Sequence, residues 1–304
     1  MTSHTDLIPA AASGSNASHG ARRGKRRDKP NPLLGLSHVA LAFWALLVVV
    51  PLIWTFLDAF KGAGEITGGN PWALPHSWHF DAFTRAWSKA HIGQYLLNTA
   101  FVVAVSTFFT MLLGSMAAYV LARFQFVGNR FIYLLFVSGM TFPVFLALVP
   151  LFGVVKQLGM LNSYVGLVLV YVAYSLPFTV FFMAAFFKTL PTTVAEAAMI
   201  DGCGHTRTFF RIMLPMAKPG LISIAIFNVI GQWNQYLLPL VLLAGKPDKW
   251  MITQGVANIS VSAGADSDWP ALFAALSIAI IPVIIVYIIF QRQIQSGLTA
   301  GAVK

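Results

Sequence analysis

YVGLVLVYVAYSLPFTVFFMAAF, residues 164–186, runs for 23 residues without a charged side chain or a histidine. Roughly 20 residues of α-helix cross the ~30 Å hydrocarbon layer of a bilayer, so this stretch predicts a transmembrane helix. Lipid offers no partner to an open backbone, which leaves only helices and closed barrels as spanning structures. Barrels read as short alternating segments, and none is present. Working outward, five further runs have the same character: Val39–Leu57, Tyr95–Ala122, Ile132–Phe152, Pro219–Leu243 and Ala271–Phe290. The expected fold is therefore all-α and polytopic, with six transmembrane helices. Tyr95–Ala122 exceeds the required length and is expected to tilt or to project beyond the bilayer. Pro143, Pro150, Pro177 and Gly231 mark expected kinks.

Composition agrees. Hydrophobic residues make up 57% of the 304, and only 10% are charged, against about 25% in an ordinary soluble domain. A soluble enzyme and a disordered chain are both excluded. The single cysteine, Cys203, excludes an internal disulfide. The net charge of +10 would suit a nucleic-acid binder, but its distribution argues against one. An even number of spans puts both termini on one side, and 14 of the 20 Lys and Arg residues then share that side. By the positive-inside rule both termini are cytoplasmic. The basic run Arg22–Lys29 reads as a topology anchor, so no nucleic-acid partner is expected. The anticipated organisation is a disordered basic tail (1–30), a first span with an extracytoplasmic loop (31–93), a membrane core (94–290) and a cytoplasmic C-terminal tail (291–304). The first span lacks a small-residue cleavage site and is expected to be retained.

Two outer loops follow from this topology. Asp58–Gln94 carries Trp72, Trp78 and Trp87, which suit the membrane interface. Ala244–Pro270 is long enough to suggest function. Its Asp266 and Asp268 lack calcium-loop spacing, and no metal is expected. The inner loop, 187–218, is more informative. Pro191 precedes an Ala- and Glu-rich stretch that predicts a short helix, ended by Gly202 and Gly204. A second short helix is expected over about Thr206–Met213, running to Pro215. This amphipathic pair is too short to span a membrane and suits a plug for a groove in another protein; an ordinary surface loop is the alternative. Glu196 and Asp201 lie about 140° apart around a helix, so they do not converge as a catalytic pair, and no catalytic residue is assigned.

In this loop Glu196-Ala197-Ala198, Gly202, Ile212 and Leu214-Pro215 stand at the spacing of the EAA motif, and the chain resembles the membrane subunits of ABC importers. The likeness extends to Asn98-Thr99, Ala117-Ala118-Tyr119, Leu176-Pro177-Phe178, Trp233-Asn234 and the tail Gly297–Lys304, which is similar to carbohydrate permeases of the maltose-transporter type. It covers roughly residues 35–304. The resemblance implies a bacterial or archaeal cell-membrane protein. In it the EAA loop (Glu196, Ala197, Ala198, Asp201, Gly202, Ile212, Leu214, Pro215) is a coupling helix docked in a cytoplasmic ATP-binding subunit dimer. It further implies a second homologous permease, an extracytoplasmic solute-binding protein and a sugar substrate. ATP and Mg belong to the partner subunit, with no cofactor on this chain. The chain has no phosphate-binding Gly-x-x-x-x-Gly-Lys-Ser/Thr loop and no carboxylate or histidine in its spans for ion coupling. Its driving force must come from outside the chain.

Polar residues within spans are costly and therefore informative. Asn228, Gln232 and Gln235 share a face of the fifth span, and Tyr171 and Ser175 share one in the fourth. Amides and hydroxyls with aromatic rings suit a neutral sugar; helix–helix hydrogen bonding is the competing reading. Asn98 and Asn234 read as structural. A passive channel would need charged rings or a carbonyl filter, and a membrane enzyme a converging polar set; neither is evident. The region Ala265–Lys304 resembles amino-sugar uptake subunits for N-acetylglucosamine or chitobiose. Other disaccharides and glycerol phosphate stay open, although a phosphate would call for lining Arg or Lys.

Overall fold

The computed structural model describes residues 32–266 and 268–300, with side-chain surroundings for 35–262 and 268–293. The expected tail 1–30 lies outside the described residues. Residues 1–50 and 51–304 form two units. The described part of the first is the beginning of helix α1 (Pro32–Asp58).

In the second unit, α1 ends into short helices α2 (Ala63–Gly68) and α3 (Asp81–Thr84), the latter continued by a π turn over Arg85–Lys89. Then come α4 (Ile92–Arg123), α5 (Asn129–Gly139), α6 (Val144–Gln157) and α7 (Tyr164–Thr189). The inner loop holds α8 (Thr192–Ile200), α9 (His205–Thr208), a π turn (Phe209–Met213) and α10 (Leu214–Met216). The chain finishes with α11 (Lys218–Trp233), α12 (Leu237–Leu242), α13 (Ile252–Asp266) and α14 (Trp269–Ala300). No strand occurs among the described residues.

α4 and α7 form the spine. They run side by side in one direction, since Phe101 meets Tyr164 near their starts and Tyr119 meets Phe187 near their ends. Gly114 permits the close approach: a Cβ there would lie 2.6 Å from Thr179 Cγ2. α11 lies antiparallel across both. Its Asn228 bonds Thr179, and Gln232, one turn further on, bonds Ser106 and Ser175. α14 runs back along α11, with Trp233 Nε1 donating to Ala279 O (3.3 Å) and Ser223 Oγ to Gln293 O (2.7 Å).

Among the described residues, four helices are long and apolar enough to cross a membrane: Gly35–Asp58, Ile92–Arg123, Tyr164–Thr189 and Trp269–Gln293. The expected spans Ile132–Phe152 and Pro219–Leu243 are not continuous helices. The first is broken between α5 and α6, which meet at 103°. The cause is Pro143, which has no N–H to donate and pushes Phe142 out of helical geometry. The second breaks at Asn234–Tyr236, three residues after Gly231. The helix restarts at Leu237, which places Pro239 in a first turn where it displaces no helical N–H bond, whereas Pro150 and Pro177, also expected to kink, lie inside continuous helices α6 and α7. A second sharp bend, 78°, separates His205–Met216 from α11. The region read as an outer loop, Ala244–Pro270, is largely α13. That helix buries Ile252 and Ile259 in a core shared with Tyr95, Leu272 and Ala275.

Side chains pin this region to the start of α4. Asn98 Nδ2 donates to the carbonyls of Asp248 and Trp250 (both 3.0 Å), and Thr99 Oγ1 accepts from the Ile252 N–H (2.8 Å). Asn98 thus ties α4 to the 248–250 turn, whereas Asn234 bonds Ile230 O of its own helix. Nearby, Arg85 fastens the 58–91 segment to α14: its Nε and Nη2 donate to the two carboxylate oxygens of Asp268 at 2.9 Å each, and its Nη1 to Asp81. The guanidinium holds the Asp81 carboxyl below its ordinary pKa, and Asp268 raises that of Arg85.

Candidate functional site

The loop between α7 and α11 is braced by its own turns and by the helices beneath it. α8 starts after Pro191, whose fixed φ suits the approach to a helix. It ends in a Schellman turn: Cys203 N–H reaches Ala198 O (2.9 Å) and Gly202 N–H reaches Met199 O (3.1 Å). Gly202 adopts φ +79°, the left-handed conformation this turn requires and that glycine takes without penalty. Ala195 and Ala198, three apart, face inward and are buried. Glu196, Ala197, Met199, Asp201 and Gly202 are exposed, and Ile200 is 86% exposed. The return helix is longer than the expected Thr206–Met213: it begins at His205 and passes through Pro215 to Met216. A π turn makes this possible. The Leu214 N–H bonds Phe209 O, five residues back, widening the coil just ahead of the proline.

Beneath the loop lies a cluster of rings. Tyr119 of α4 meets Phe187 of α7 and Phe209 of the π turn at centroid distances of 5.5 and 5.1 Å. Phe124 joins them, packed edge-on to Tyr119 and to His205. Arg123 at the end of α4 donates to Leu190 O (2.6 Å), the residue before Pro191. Met213, fully buried, and Ile212 and Leu214, partly buried, complete the seat. Ala195 of α8 thus shares one packed cluster with Tyr119 of α4 and Phe187 of α7.

A second site lies among the spans. A cavity of about 340 Å³ is bounded by α7, α11 and the Gly139–Met140 end of α5. All five residues expected to line a solute path border it: Tyr171, Ser175, Asn228, Gln232 and Gln235. Their chemical states differ. Gln232 Oε1 accepts from Ser106 (2.5 Å) and Thr107 (3.2 Å), while its Nε2 donates to Ser175 Oγ (3.0 Å). Asn228 Nδ2 donates to Thr179 Oγ1 (2.9 Å). These amides join three helices. Gln235, in the break after α11, uses its backbone carbonyl to accept from Thr253, but its side-chain amide has no partner among the described residues.

Several contributors escaped the sequence reading. Ser106, Thr107 and Thr179 are small hydroxyl residues within apolar runs, and their in-span polarity was the available signal. Arg123 and Phe209 gave none, because their roles depend on where the chain returns in space.

An all-helical bundle of apolar spans, with an uncharged internal cavity and a braced exposed loop seated on its spine, is the architecture of a multi-pass membrane permease subunit. Residues 110–300 match the family model described as binding-protein-dependent transport system inner membrane component, and the chain belongs to that family. It is 48% identical over 269 residues to the diacetylchitobiose uptake system permease protein NgcG of Streptomyces coelicolor, covering 88% of each chain. It is 31% identical over 271 residues to the trehalose transport system permease protein SugB of Mycobacterium tuberculosis, covering 86% of this chain and 97% of that one. Among solved structures, a chain of a bacterial ABC transporter involved in the import of the acidic polysaccharide alginate matches with a TM-score of 0.75. The match covers 87% of this chain and 98% of that one at 23% identity, a likeness of fold. The family resemblance read from the sequence holds.

Proposed function

We propose that this chain forms half of the translocation pathway of an ATP-driven carbohydrate importer and is worked through residues 191–216 by a separate ATP-binding subunit. The observation that carries this is the loop itself, whose apolar and acidic outer face (Glu196, Met199, Ile200, Asp201) is held on α4 and α7. Six spans are counted when each bent segment is taken as one crossing, with both termini cytoplasmic, as the Lys and Arg distribution favours. The loop then faces the cytoplasm, where Glu196, Ala197, Asp201 and Gly202 meet the ATPase, while Ala198, Ile212, Leu214 and Pro215 shape the loop from behind. ATP and Mg reside on that partner. A second permease completes the pathway, and a solute-binding protein delivers the cargo on the outer face. Rocking of the two permeases alternates access. The diacetylchitobiose and trehalose systems of the two relatives favour a neutral saccharide, with diacetylchitobiose the first candidate, and the uncharged cavity agrees.

The test is a reconstituted complex in proteoliposomes. Glu196→Lys and Gly202→Asp are expected to lower both saccharide uptake and saccharide-stimulated ATP hydrolysis at least tenfold at equal complex yield. Full stimulation in both variants refutes the role of the loop.

A further inference from the structure

The segment that follows α1 turns back along it, and its outward face is aromatic. Pro71 O accepts from Trp54 Nε1 (2.8 Å) and from Lys61 Nζ (2.9 Å). Lys61 is itself paired with Asp58 (2.6 Å), and both side chains are almost wholly buried. Phe60 lies beneath, its ring 5.2 Å from that of Trp78 and 5.3 Å from that of Phe80. Its carbonyl accepts from the His79 N–H. On this base Trp72, Leu74, Trp78 and Phe80 stand 72, 70, 58 and 66% exposed. Large apolar side chains gathered on a surface in this way mark a contact with something outside the chain. Residues 70–80 contain no Asp, Glu, Lys or Arg, so no fixed charge steers a charged partner to them.

Depth decides what that contact is. Trp54 sits four residues before the end of α1 at Asp58, about 6 Å back along the helix. Its ring also meets that of Phe273 (5.9 Å), four residues inside the start of α14 at Trp269. Two apolar spans thus give the same level, and the Trp72 ring lies 6.1 Å from that of Trp54. Interfacial elements sink their apolar side roughly 5–10 Å into the boundary between headgroups and acyl chains. The backbone of residues 71–80 is irregular, and its unpaired peptide groups need water, which halts the segment at headgroup level. We propose that residues 70–80 are a membrane anchor whose partner is the lipid surface. Trp72, Leu74 and Trp78 enter the boundary, while Trp54 and the Asp58–Lys61 pair hold the segment against the end of the first span. Residues 58–91 lead into the start of α4, and the inner loop is seated at its end, so the anchor lies in the leaflet opposite that loop. Trp87, grouped with the other two tryptophans in the sequence, lies against Gly93 instead. The inference rests on α1 crossing the bilayer and not on the cargo.

The experiment uses the whole complex in nanodiscs of phosphatidylcholine and phosphatidylglycerol, with other reactive thiols removed, Cys203→Ser among them. A nitroxide is attached at Leu74→Cys or at Trp78→Cys, both exposed positions whose labelling leaves the base of the segment intact. Oxygen concentrates in the bilayer and a nickel chelate stays in water, so the ratio of their collision rates reads depth. Thr67→Cys, exposed on α2, supplies the reference for water, and Leu52→Cys in α1 the reference for lipid. The ratio at Leu74→Cys and Trp78→Cys is expected to rise from the Thr67→Cys value toward the Leu52→Cys value, and to stay there when an extracytoplasmic binding protein is added. Ratios equal to that of Thr67→Cys at both positions overturn the anchor. So do labels that read as water in the complex alone and become immobile only on adding the binding protein, which would assign this face to a protein instead.

Discussion

Gln232 illustrates how a single side chain can carry two sequence readings that only geometry separates. Its position on a polar stripe with Asn228 and Gln235 was legible, and so was the choice between solute contact and helix bonding. What the sequence lacked was the partner: Ser106 and Thr107 lie more than 120 residues away. With three hydrogen bonds made inside the bundle, Gln232→Leu removes the cross-links to Ser106, Thr107 and Ser175, although Ser106 keeps its bond to Val102 O. Interhelical hydrogen bonds in membranes are worth roughly 0.6–2 kcal/mol, so a loss of about 1–2 kcal/mol is expected, read as a lowered melting temperature of the purified subunit in detergent. A fall in the midpoint no larger than that of Gln291→Leu, an exposed site, would count against the brace.

Among the helices, α4 and α7 depend on Gly114. A methyl group there would press on Thr179 Cγ2 at 2.6 Å, and overpacking of this kind costs roughly 1–3 kcal/mol. Gly114→Ala is expected to lower thermal stability by that amount, and Thr179→Ser to restore most of it, because serine removes the colliding methyl yet keeps the hydroxyl that accepts from Asn228. The Asp81–Arg85 pair within the 81–89 segment answers to acid. The Asp81 carboxyl is depressed in the fold by Arg85, so its contribution is present at neutral pH and is lost as pH falls through the carboxylate range, below about pH 4. Limited proteolysis within residues 58–91 is expected to accelerate there, and to accelerate at pH 7 in Arg85→Leu. The helices themselves were legible wherever apolar runs were long. Pro143 announced the break in the third run, and Gly231, three residues before Asn234, the break in the fifth. α13 was missed because its apolar positions Ile252, Val256 and Ile259 sit in a stretch otherwise read as a loop, and their burial depends on α4 and α14.

At the scale of the whole molecule, the membrane class, the family and the loop at 191–216 could all be read from composition, charge placement and spacing. The cavity could not, since its walls come from α5, α7 and α11, whose meeting is a property of the packed bundle. The loop also contains the only cysteine, Cys203, half-buried at the Schellman turn between α8 and α9. The protein therefore arrives with a native attachment point for a fluorescent or spin label at the place where a motor subunit would grip it. Thiol modification by a maleimide dye is expected to slow at least severalfold once that subunit is added, and to recover on its removal. Equal rates with and without it would mean that the grip is elsewhere. Because this chain carries no other sulfhydryl, the dye's brightness or mobility can follow movement of the loop in real time without first engineering the chain.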